Sequence, residues 1–217
     1  MQLFKPESPD LPRDFDELVS SFNWEIPERF NFADAVCERH ADGSARLALI
    51  AAADSTHAVH YYTFDEINAQ ANRLANWFVS NGVVRGDRVA VILPQRVETA
   101  LVHVAAHKAG AVSLPLSVLF REDALLHRLR DSAAMAVITD PAHAALIDSL
   151  REQLPALLHV LICGRDPARL PVHESRQPDA GSVARAQGGA DESDSFWVSL
   201  SAQSDHCLLY TSPSPRD

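Results

Sequence analysis

The chain has 217 residues, of which 47% are hydrophobic and 22% are charged, so it can bury one sizeable core and is not a disordered chain. Its formal net charge of −10 disfavours nonspecific binding to nucleic acid or to an anionic membrane, because phosphate contacts need clustered Lys and Arg side chains. Three scattered cysteines, Cys37, Cys163 and Cys207, supply neither a disulfide framework nor a Cys-x-x-Cys metal site, which favours a reducing compartment.

The beginning of the chain predicts two short helices and a hairpin. A helix is expected around residues 15–22, inside an otherwise loose leader. Asn31 is placed to cap a second helix that runs through His40, because its side chain can accept hydrogen bonds from amides of the first turn. Residues 47–52 and 58–62 are apolar runs separated by a polar turn, and this pattern predicts a β-hairpin.

A capped amphipathic helix followed by a buried strand is predicted over residues 62–94. Thr63 and Glu66 stand at the spacing of a capping box. Apolar residues recur at helical period at Ile67, Ala71, Leu74, Ala75 and Phe78. Gly82 suits the left-handed residue that follows many helices. Residues 89–93 are apolar at every position, which predicts a strand with both faces covered, as in a parallel sheet.

Helices and strands alternate after this segment. The predicted elements are a helix over 97–109, a strand over 111–114, a helix over 122–130, a strand over 135–139, a helix over 142–153 and a strand over 157–163. This spacing predicts parallel strands joined by right-handed crossovers, with helices on both faces. The predicted fold class is therefore α/β, with a doubly wound parallel sheet over residues 46–164.

The segments on either side of this sheet are predicted to differ from it. Residues 1–45 are expected to form an extension with short helices. Residues 165–195 are rich in Pro, Gly, Ser, Asp and Arg without periodicity, which predicts an exposed connection. Residues 196–206 are expected to start a truncated second subdomain, with a strand over Phe196 to Leu200.

The sequence favours a cytoplasmic location without a membrane span. Residues 1–17 lack the basic start and the apolar core of a secretion signal. Apolar runs also fall short of the roughly 20 residues that are needed to cross a bilayer. We therefore expect a cytoplasmic protein.

A string of residues through the predicted sheet carries a family resemblance. It consists of Thr63-Phe64-Asp65-Glu66, Ala71-Asn72-Arg73-Leu74-Ala75, Gly82-Val83, Gly86-Asp87-Arg88-Val89-Ala90-Val91, Leu93-Pro94, Glu98, Ala106, Lys108-Ala109-Gly110-Ala111-Val112, Pro115-Leu116, Phe120, Arg128-Leu129, Asp131-Ser132 and Ile138-Thr139-Asp140. In this order, the string resembles the amino-terminal part of AMP-forming acyl-CoA synthetases, in the adenylate-forming superfamily. Residues 26–33, Ile-Pro-Glu-Arg-Phe-Asn-Phe-Ala, are similar to the medium-chain branch.

The resemblance implies an incomplete first subdomain of the large domain of an adenylate-forming enzyme. The full-length parent would adenylate a small carboxylic acid with Mg-ATP, release pyrophosphate and transfer the acyl group to the thiol of CoA. ATP, Mg and CoA are thus implied for the parent and not for this chain, which we expect to be inert alone. Two alternatives stay open: a fragment of a carrier-loading adenylation domain, and a stand-alone α/β interaction module.

The last residues imitate a motif of that family. Residues 209–212, Leu-Tyr-Thr-Ser, match the start of its phosphate loop, which reads Tyr-Thr-Ser-Gly-Thr-Thr-Gly-x-Pro-Lys-Gly. A phosphate cradle needs backbone N–H groups on glycines and a lysine, whereas residues 213–217 contain neither and include two prolines. Residues 207–217 look, residue for residue, like an in-frame translation of a sequencing-library adapter. We therefore expect native sequence to end near His206; the alternative is a genuine tail.

Two pairs of polar side chains are candidate site residues. His103 and His107 lie at i, i+4 on a predicted helix, but no third metal ligand accompanies them, which favours packing or surface histidines. Glu98 and Glu122 lack a carboxylate partner and are expected on solvated helix faces. Gly-x-Ser-x-Gly, Gly-x-Gly-x-x-Gly and Gly-Lys-Ser/Thr motifs are absent from the sequence.

A cluster of arginines is the remaining candidate. Arg121, Arg128 and Arg130 would meet an anion such as a CoA phosphate in a complete enzyme, or pair with neighbouring carboxylates. The neighbouring carboxylates are Glu122, Asp123 and Asp131. We favour the local pairs, which are common on helix surfaces. The sequence therefore predicts no catalytic, cofactor-binding or metal-binding residue in this chain.

Overall fold

The computed structural model describes residues 15–23, 27–52, 59–164, 195–207 and 212–213. The chain divides into two compact units, one over residues 31–210 and one made of residues 1–30 and 211–217. Of the predicted connection over residues 165–195, Ser195 alone lies within the described residues. Within those residues, no helix is both long and apolar enough to cross a membrane.

Strands and helices alternate along the larger unit as the sequence predicts. The described strands are β1 (Arg29–Phe30), β2 (Leu47–Ala52), β3 (Val59–Thr63), β4 (Arg88–Ile92), β5 (Val112–Pro115), β6 (Ala136–Thr139), β7 (His159–Ile162) and β8 (Ser212–Pro213). The described α-helices are α1 (Phe15–Ser21), α2 (Phe32–Val36), α3 (Phe64–Ser80), α4 (Val97–Lys108), α5 (Glu122–Asp131), α6 (Pro141–Leu150) and α7 (Ser195–Ser201). In the smaller unit, β1 pairs antiparallel with β8.

The larger unit is built on a parallel sheet with the strand order β5-β4-β6-β7. Side chains alternate across the central strand β4. Val89 and Val91 belong to a core that includes buried residues of α3 and α4, whereas Ala90 and Ile92 belong to a second core with α5 and α6. Helices therefore cover both faces of the sheet. This arrangement confirms the predicted doubly wound α/β fold.

Helix α3 contributes several buried side chains to the first core. Its capping box forms as predicted: the backbone N–H of Glu66 donates to Thr63 Oγ1 at 3.2 Å, and the backbone N–H of Thr63 donates to Glu66 Oε2 at 2.8 Å. Leu74 and Phe78 are fully buried. Gly82 follows the helix with a φ of +82°, in the left-handed region that glycine adopts without strain. These features fix both ends of the helix and its buried face.

The elements before α3 follow the prediction in outline. β2 and β3 form the predicted antiparallel hairpin. Asn31 caps α2, because its Oδ1 accepts from the backbone N–H of Ala33 at 2.8 Å. The α-helix ends at Val36 rather than continuing to His40, since Cys37 leaves helical geometry at φ −136°, and a 3₁₀ turn follows over Glu38–His40.

The predicted strand at Phe196 to Leu200 is wrong, because these residues lie in α7. The apolar residues Phe196, Val198 and Leu200 alternate in the sequence as they would in a half-buried strand. In the structure, Phe196 and Leu200 are buried in the first core, one helical turn apart, while Val198 is 55% exposed. Packing on α3 and β7 therefore selects the helical period.

Candidate functional site

The carboxyl ends of the parallel strands meet at one edge of the sheet, which is where ligands bind in open α/β folds. A cleft of about 460 Å³ lies at this edge, beside the ends of β4 and β5. It is lined by the segment from Leu93 to Gln95, by Thr99 and His103 on α4, and by Pro115 to Val118. Among the described residues, its lining contains no Asp, Glu, Lys or Arg. The cleft by itself therefore offers no charge that would neutralise a phosphate.

The two histidines of α4 make packing contacts. His103 Nδ1 lies 2.6 Å from Ser113 Oγ, and the His107 ring meets the Phe32 ring edge-on at a centroid distance of 5.2 Å. Burial lowers the pKa of both imidazoles, and each proton on His103 would repel one on His107. Among the described residues, no group of three or more His, Cys, Asp or Glu side chains is arranged to hold a metal ion.

The prediction that Glu98 lies on a solvated helix face is wrong, because its side chain is 0% exposed. Arg96 holds both carboxylate oxygens, with Nε at 2.6 Å from Oε2 and Nη2 at 2.7 Å from Oε1. Arg96 Nη1 also donates to the carbonyl of Gly164 at 3.0 Å, and Trp197 Nε1 donates to Glu98 Oε1 at 3.3 Å. The pair thus ties the start of α4 to the end of β7 and to α7. Glu122, by contrast, is exposed.

Asp140 and His143 organise the neighbouring strand end. Asp140 Oδ1 caps α6 by accepting from the backbone N–H of His143 at 3.0 Å, and it lies 2.7 Å from His143 Nδ1. His143 Nε2 lies 2.9 Å from the carbonyl oxygen of Val118. Burial opposes protonation of His143, but the bonds to Asp140 and Val118 together outweigh it and raise its pKa. The network fixes the loop after β5 against the end of β6.

The arginine cluster does not form the favoured local ion pairs. Arg128 lies over the ring of Phe120, with its guanidinium carbon 4.1 Å from the ring centroid, and donates to the carbonyl of Ala124 at 3.0 Å. Within the described part of the chain, no carboxylate lies at ion-pair distance from Arg121, Arg128 or Arg130. Arg128 thus makes a cation–π contact with Phe120 instead of the predicted ion pair with a neighbouring carboxylate.

Lys108 and Glu38 form a second buried ion pair that sequence reasoning missed. Lys108 Nζ lies 2.6 Å from Glu38 Oε2, and the Lys108 side chain is 0% exposed. The thiol of Cys207 donates to the same Glu38 oxygen at 3.1 Å. Lys108 stands seven residues after Leu101 and three after Ala105, both fully buried on α4. That spacing places Lys108 on the apolar face and was the available signal.

Polar side chains of α3 hold a later stretch of the chain, residues 203–206, which we call the approach segment. Asn72 Nδ2 donates to the carbonyl of Asp205 at 2.8 Å, and Asn76 Nδ2 donates to the carbonyl of Ser204 at 2.6 Å. Arg73 Nη1 donates to the carbonyl of Gln203 at 2.8 Å. Sequence reasoning missed these contacts, whose partners are separated by 128 to 133 residues.

Comparison with known proteins places this scaffold in a family. The family model described as AMP-binding enzyme matches residues 37–214. The acetyl-coenzyme A synthetase of Bacillus subtilis (strain 168) is 31% identical over 162 residues, which is 70% of this chain and 28% of that protein. The mitochondrial acyl-coenzyme A synthetase ACSM3 of Mus musculus is 29% identical over 165 residues, or 73% of this chain and 28% of that protein. The chain thus spans less than a third of the length of these relatives.

Solved structures share the fold. An acyl-CoA synthetase of Brucella canis matches with a TM-score of 0.70 at 21% identity, over 92% of this chain and 34% of that chain. The ATP-bound MatB of Rhodopseudomonas palustris matches with a TM-score of 0.60 at 21% identity, over 83% of this chain and 29% of that chain. The resemblance found in the sequence is therefore confirmed, and the chain belongs to the AMP-binding enzyme family, the family of the adenylate-forming acyl-CoA synthetases.

Proposed function

We propose that the full-length parent of this chain is a cytoplasmic, AMP-forming acyl-CoA synthetase that converts a small carboxylic acid, ATP and CoA into acyl-CoA, AMP and pyrophosphate. The observation that carries the proposal is the family match over residues 37–214, supported by relatives named as acetyl- and acyl-coenzyme A synthetases. Free Cys37, Cys163 and Cys207 support a reducing compartment.

The residues present here do not fit the triphosphate of ATP. A phosphate cradle needs converging backbone N–H groups and a cation, yet the described lining of the cleft beside β4 and β5 includes no Lys or Arg. Residues 213–217, Pro-Ser-Pro-Arg-Asp, follow Tyr-Thr-Ser where the family has glycines and a lysine. We therefore assign this chain the role of a scaffold, with the doubly wound subdomain over 46–164, and no step of the reaction.

The scaffold role follows from how the chain fixes the edge of the sheet. The bidentate pair of Arg96 and Glu98 joins α4 to Gly164, and Asp140 with His143 joins β6 to Val118. Both networks lie at the carboxyl edge of the parallel sheet. They fix the positions of the loops there, against which a neighbouring part of the parent would complete a site. Catalytic groups for adenylation are then expected in the sequence that follows in the relatives.

The experiment compares the 217-residue chain with a protein that continues past residue 206 in the gene's own frame. Both are incubated with Mg-ATP, CoA and a panel of carboxylic acids, and pyrophosphate release and acyl-CoA are measured by mass spectrometry. We expect acyl-CoA from the extended protein and neither acyl-adenylate nor acyl-CoA from the 217-residue chain.

Two outcomes would overturn parts of the proposal. Acyl-adenylate formed by the 217-residue chain would show that the chain is more than a scaffold. An extended protein that releases pyrophosphate with a carboxylic acid but transfers nothing to CoA would favour the carrier-loading alternative. Omission of the carboxylic acid is the matched control, because it separates adenylation from simple ATP hydrolysis.

A further inference from the structure

The side chains that hold the approach segment lie in one row on α3. Asn72 and Asn76 are one helical turn apart, and Arg73 lies beside them. Asn76 Nδ2 reaches a second carbonyl, that of His206, at 3.1 Å, and Arg73 Nη2 lies 3.3 Å from Asp205 Oδ2. Because every backbone partner is a carbonyl oxygen, each amide must present its nitrogen. Three side chains thus hold four consecutive residues by their backbone.

Helix α3, which carries these three side chains, is packed firmly against the core. Asn72 is buried, and the Arg73 side chain is 11% exposed, so both are held by packing as well as by hydrogen bonds. The opposite face of α3 carries Leu74 and Phe78 into the core, and its first turn is closed by the capping box. Any displacement of the approach segment relative to the sheet therefore has to break several hydrogen bonds together, of which those from Asn72 to Asp205 and from Arg73 to Gln203 are partly buried.

The approach segment directly precedes the position at which the phosphate loop of the parent is expected to begin, because native sequence is expected to end near His206. Tyr210 of the Tyr-Thr-Ser imitation stands four residues after His206. A chain advances at most ~3.6 Å per residue, so four residues reach no further than about 14 Å. Fixing His206 on α3 thus confines the first residue of a loop at this position to a small volume.

We propose that Asn72, Arg73 and Asn76 are positioning residues, which fix the backbone of residues 203–206 on α3 and thereby set where the phosphate loop of the parent enzyme starts. The loop's role in adenylation rests on the function proposed above. The clamp itself is a property of this chain, and it is testable without any enzymatic activity.

The cysteines of the chain provide the test. Cys207 follows the approach segment directly, whereas Cys37 and Cys163 are 2% and 0% exposed in the core. Cys207 is exposed, but partial burial of its sulfur and the hydrogen bond to Glu38 raise the pKa of its thiol from 9.0 to about 11. Release of the segment would return the thiol toward its ordinary pKa and raise the thiolate fraction at pH 8 by up to about 100-fold.

The experiment measures alkylation of each cysteine at pH 8 by peptide mass spectrometry, in the folded 217-residue chain. The double variant Asn72→Ala, Asn76→Ala is expected to label Cys207 at least about tenfold faster, with Cys37 and Cys163 still unlabelled. Asn68→Ala is the matched control, because Asn68 lies one turn earlier on α3 and, within the described residues, bonds no carbonyl of the approach segment.

Each result of the labelling decides the proposal. An unchanged Cys207 rate in the double variant would overturn the clamp. Equal acceleration at all three cysteines would overturn it as well, because it would mean global unfolding rather than release of one segment. Arg73→Lys gives a milder readout, since it keeps the charge beside Asp205 but loses the forked donor, and we expect a rate between wild type and the double variant.

A second measurement uses the extended protein and separates positioning from general stability. There, Asn72→Ala, Asn76→Ala is expected to lower kcat/KM for ATP at least about tenfold, mainly through KM, while Asn68→Ala leaves it unchanged. Unchanged ATP kinetics with faster Cys207 labelling would overturn the link to the loop. Absence of adenylation in the unsubstituted extended protein would instead count against the proposed function, and the labelling result would stand.

Discussion

Replacing Glu98 with alanine is expected to lower the free energy of unfolding by about 3–5 kcal/mol. Glu98 is fully buried, and Arg96, whose side chain is 10% exposed, depends on it for two charge-assisted hydrogen bonds. Removing the carboxylate would take away the charged acceptor of two guanidinium hydrogen bonds in a site that water reaches poorly. Trp197 would also lose the acceptor of its indole N–H. Urea unfolding followed by circular dichroism measures the loss.

Glu122→Ala is the matched control for this prediction. Glu122 is also a glutamate in the first turn of a helix, α5, but it is exposed. Its replacement should change the free energy of unfolding by no more than about 0.5 kcal/mol. Similar costs for the two substitutions would mean that the pair of Arg96 and Glu98 contributes no more than a surface contact, and would contradict the structure.

Loss of Glu38 is expected to lower the free energy of unfolding more than loss of Lys108. Glu38→Ala should cost about 3–5 kcal/mol, because it leaves the ammonium group of fully buried Lys108 without its carboxylate. Lys108→Met should cost less than about 1.5 kcal/mol, since the thioether fills the same space and Glu38, 24% exposed, keeps contact with water. The same urea titrations compare the two variants.

The double variant Glu38→Ala, Lys108→Met supplies the control. It removes both charges, so its stability should lie close to that of Lys108→Met and well above that of Glu38→Ala. If Lys108→Met were as damaging as Glu38→Ala, the ammonium group would be stabilising in its own right, and the asymmetry argument would fail. If both single variants were harmless, the pair would not be buried in solution.

The parallel sheet was predictable because its strands carry a local signal. A strand covered on both faces has to be apolar at each position, and Val89 to Leu93 meet this condition without interruption. Asn31, Thr63 and Gly82 mark helix ends by their own chemistry, and the structure uses all three as predicted. The helix α7 was not predictable in this way, since its alternating apolar residues fit two periods and only tertiary packing chooses between them.

The candidate site was less predictable because its contacts are not local. Arg96 and Glu98 are two residues apart, and side chains at that spacing do not lie on the same side of a helix. Arg96, however, is the N-cap residue and has an extended backbone, so its side chain can reach back to Glu98. From the sequence pattern alone, Asn72 and Asn76 are expected on the polar face of an amphipathic helix. Their partners lie about 130 residues later in the chain, so no periodicity connects them.

The most direct test of the central claim, that this chain is the scaffold of an acyl-CoA synthetase, is the sequence of its gene across codon 206, read with adapter-free chemistry. We predict that the frame continues into Tyr-Thr-Ser-Gly-Thr-Thr-Gly and a long further coding region. A frame that ends in genomic DNA with Pro213-Ser214-Pro215 would contradict the claim, and it would make a stand-alone α/β module the better account of this protein.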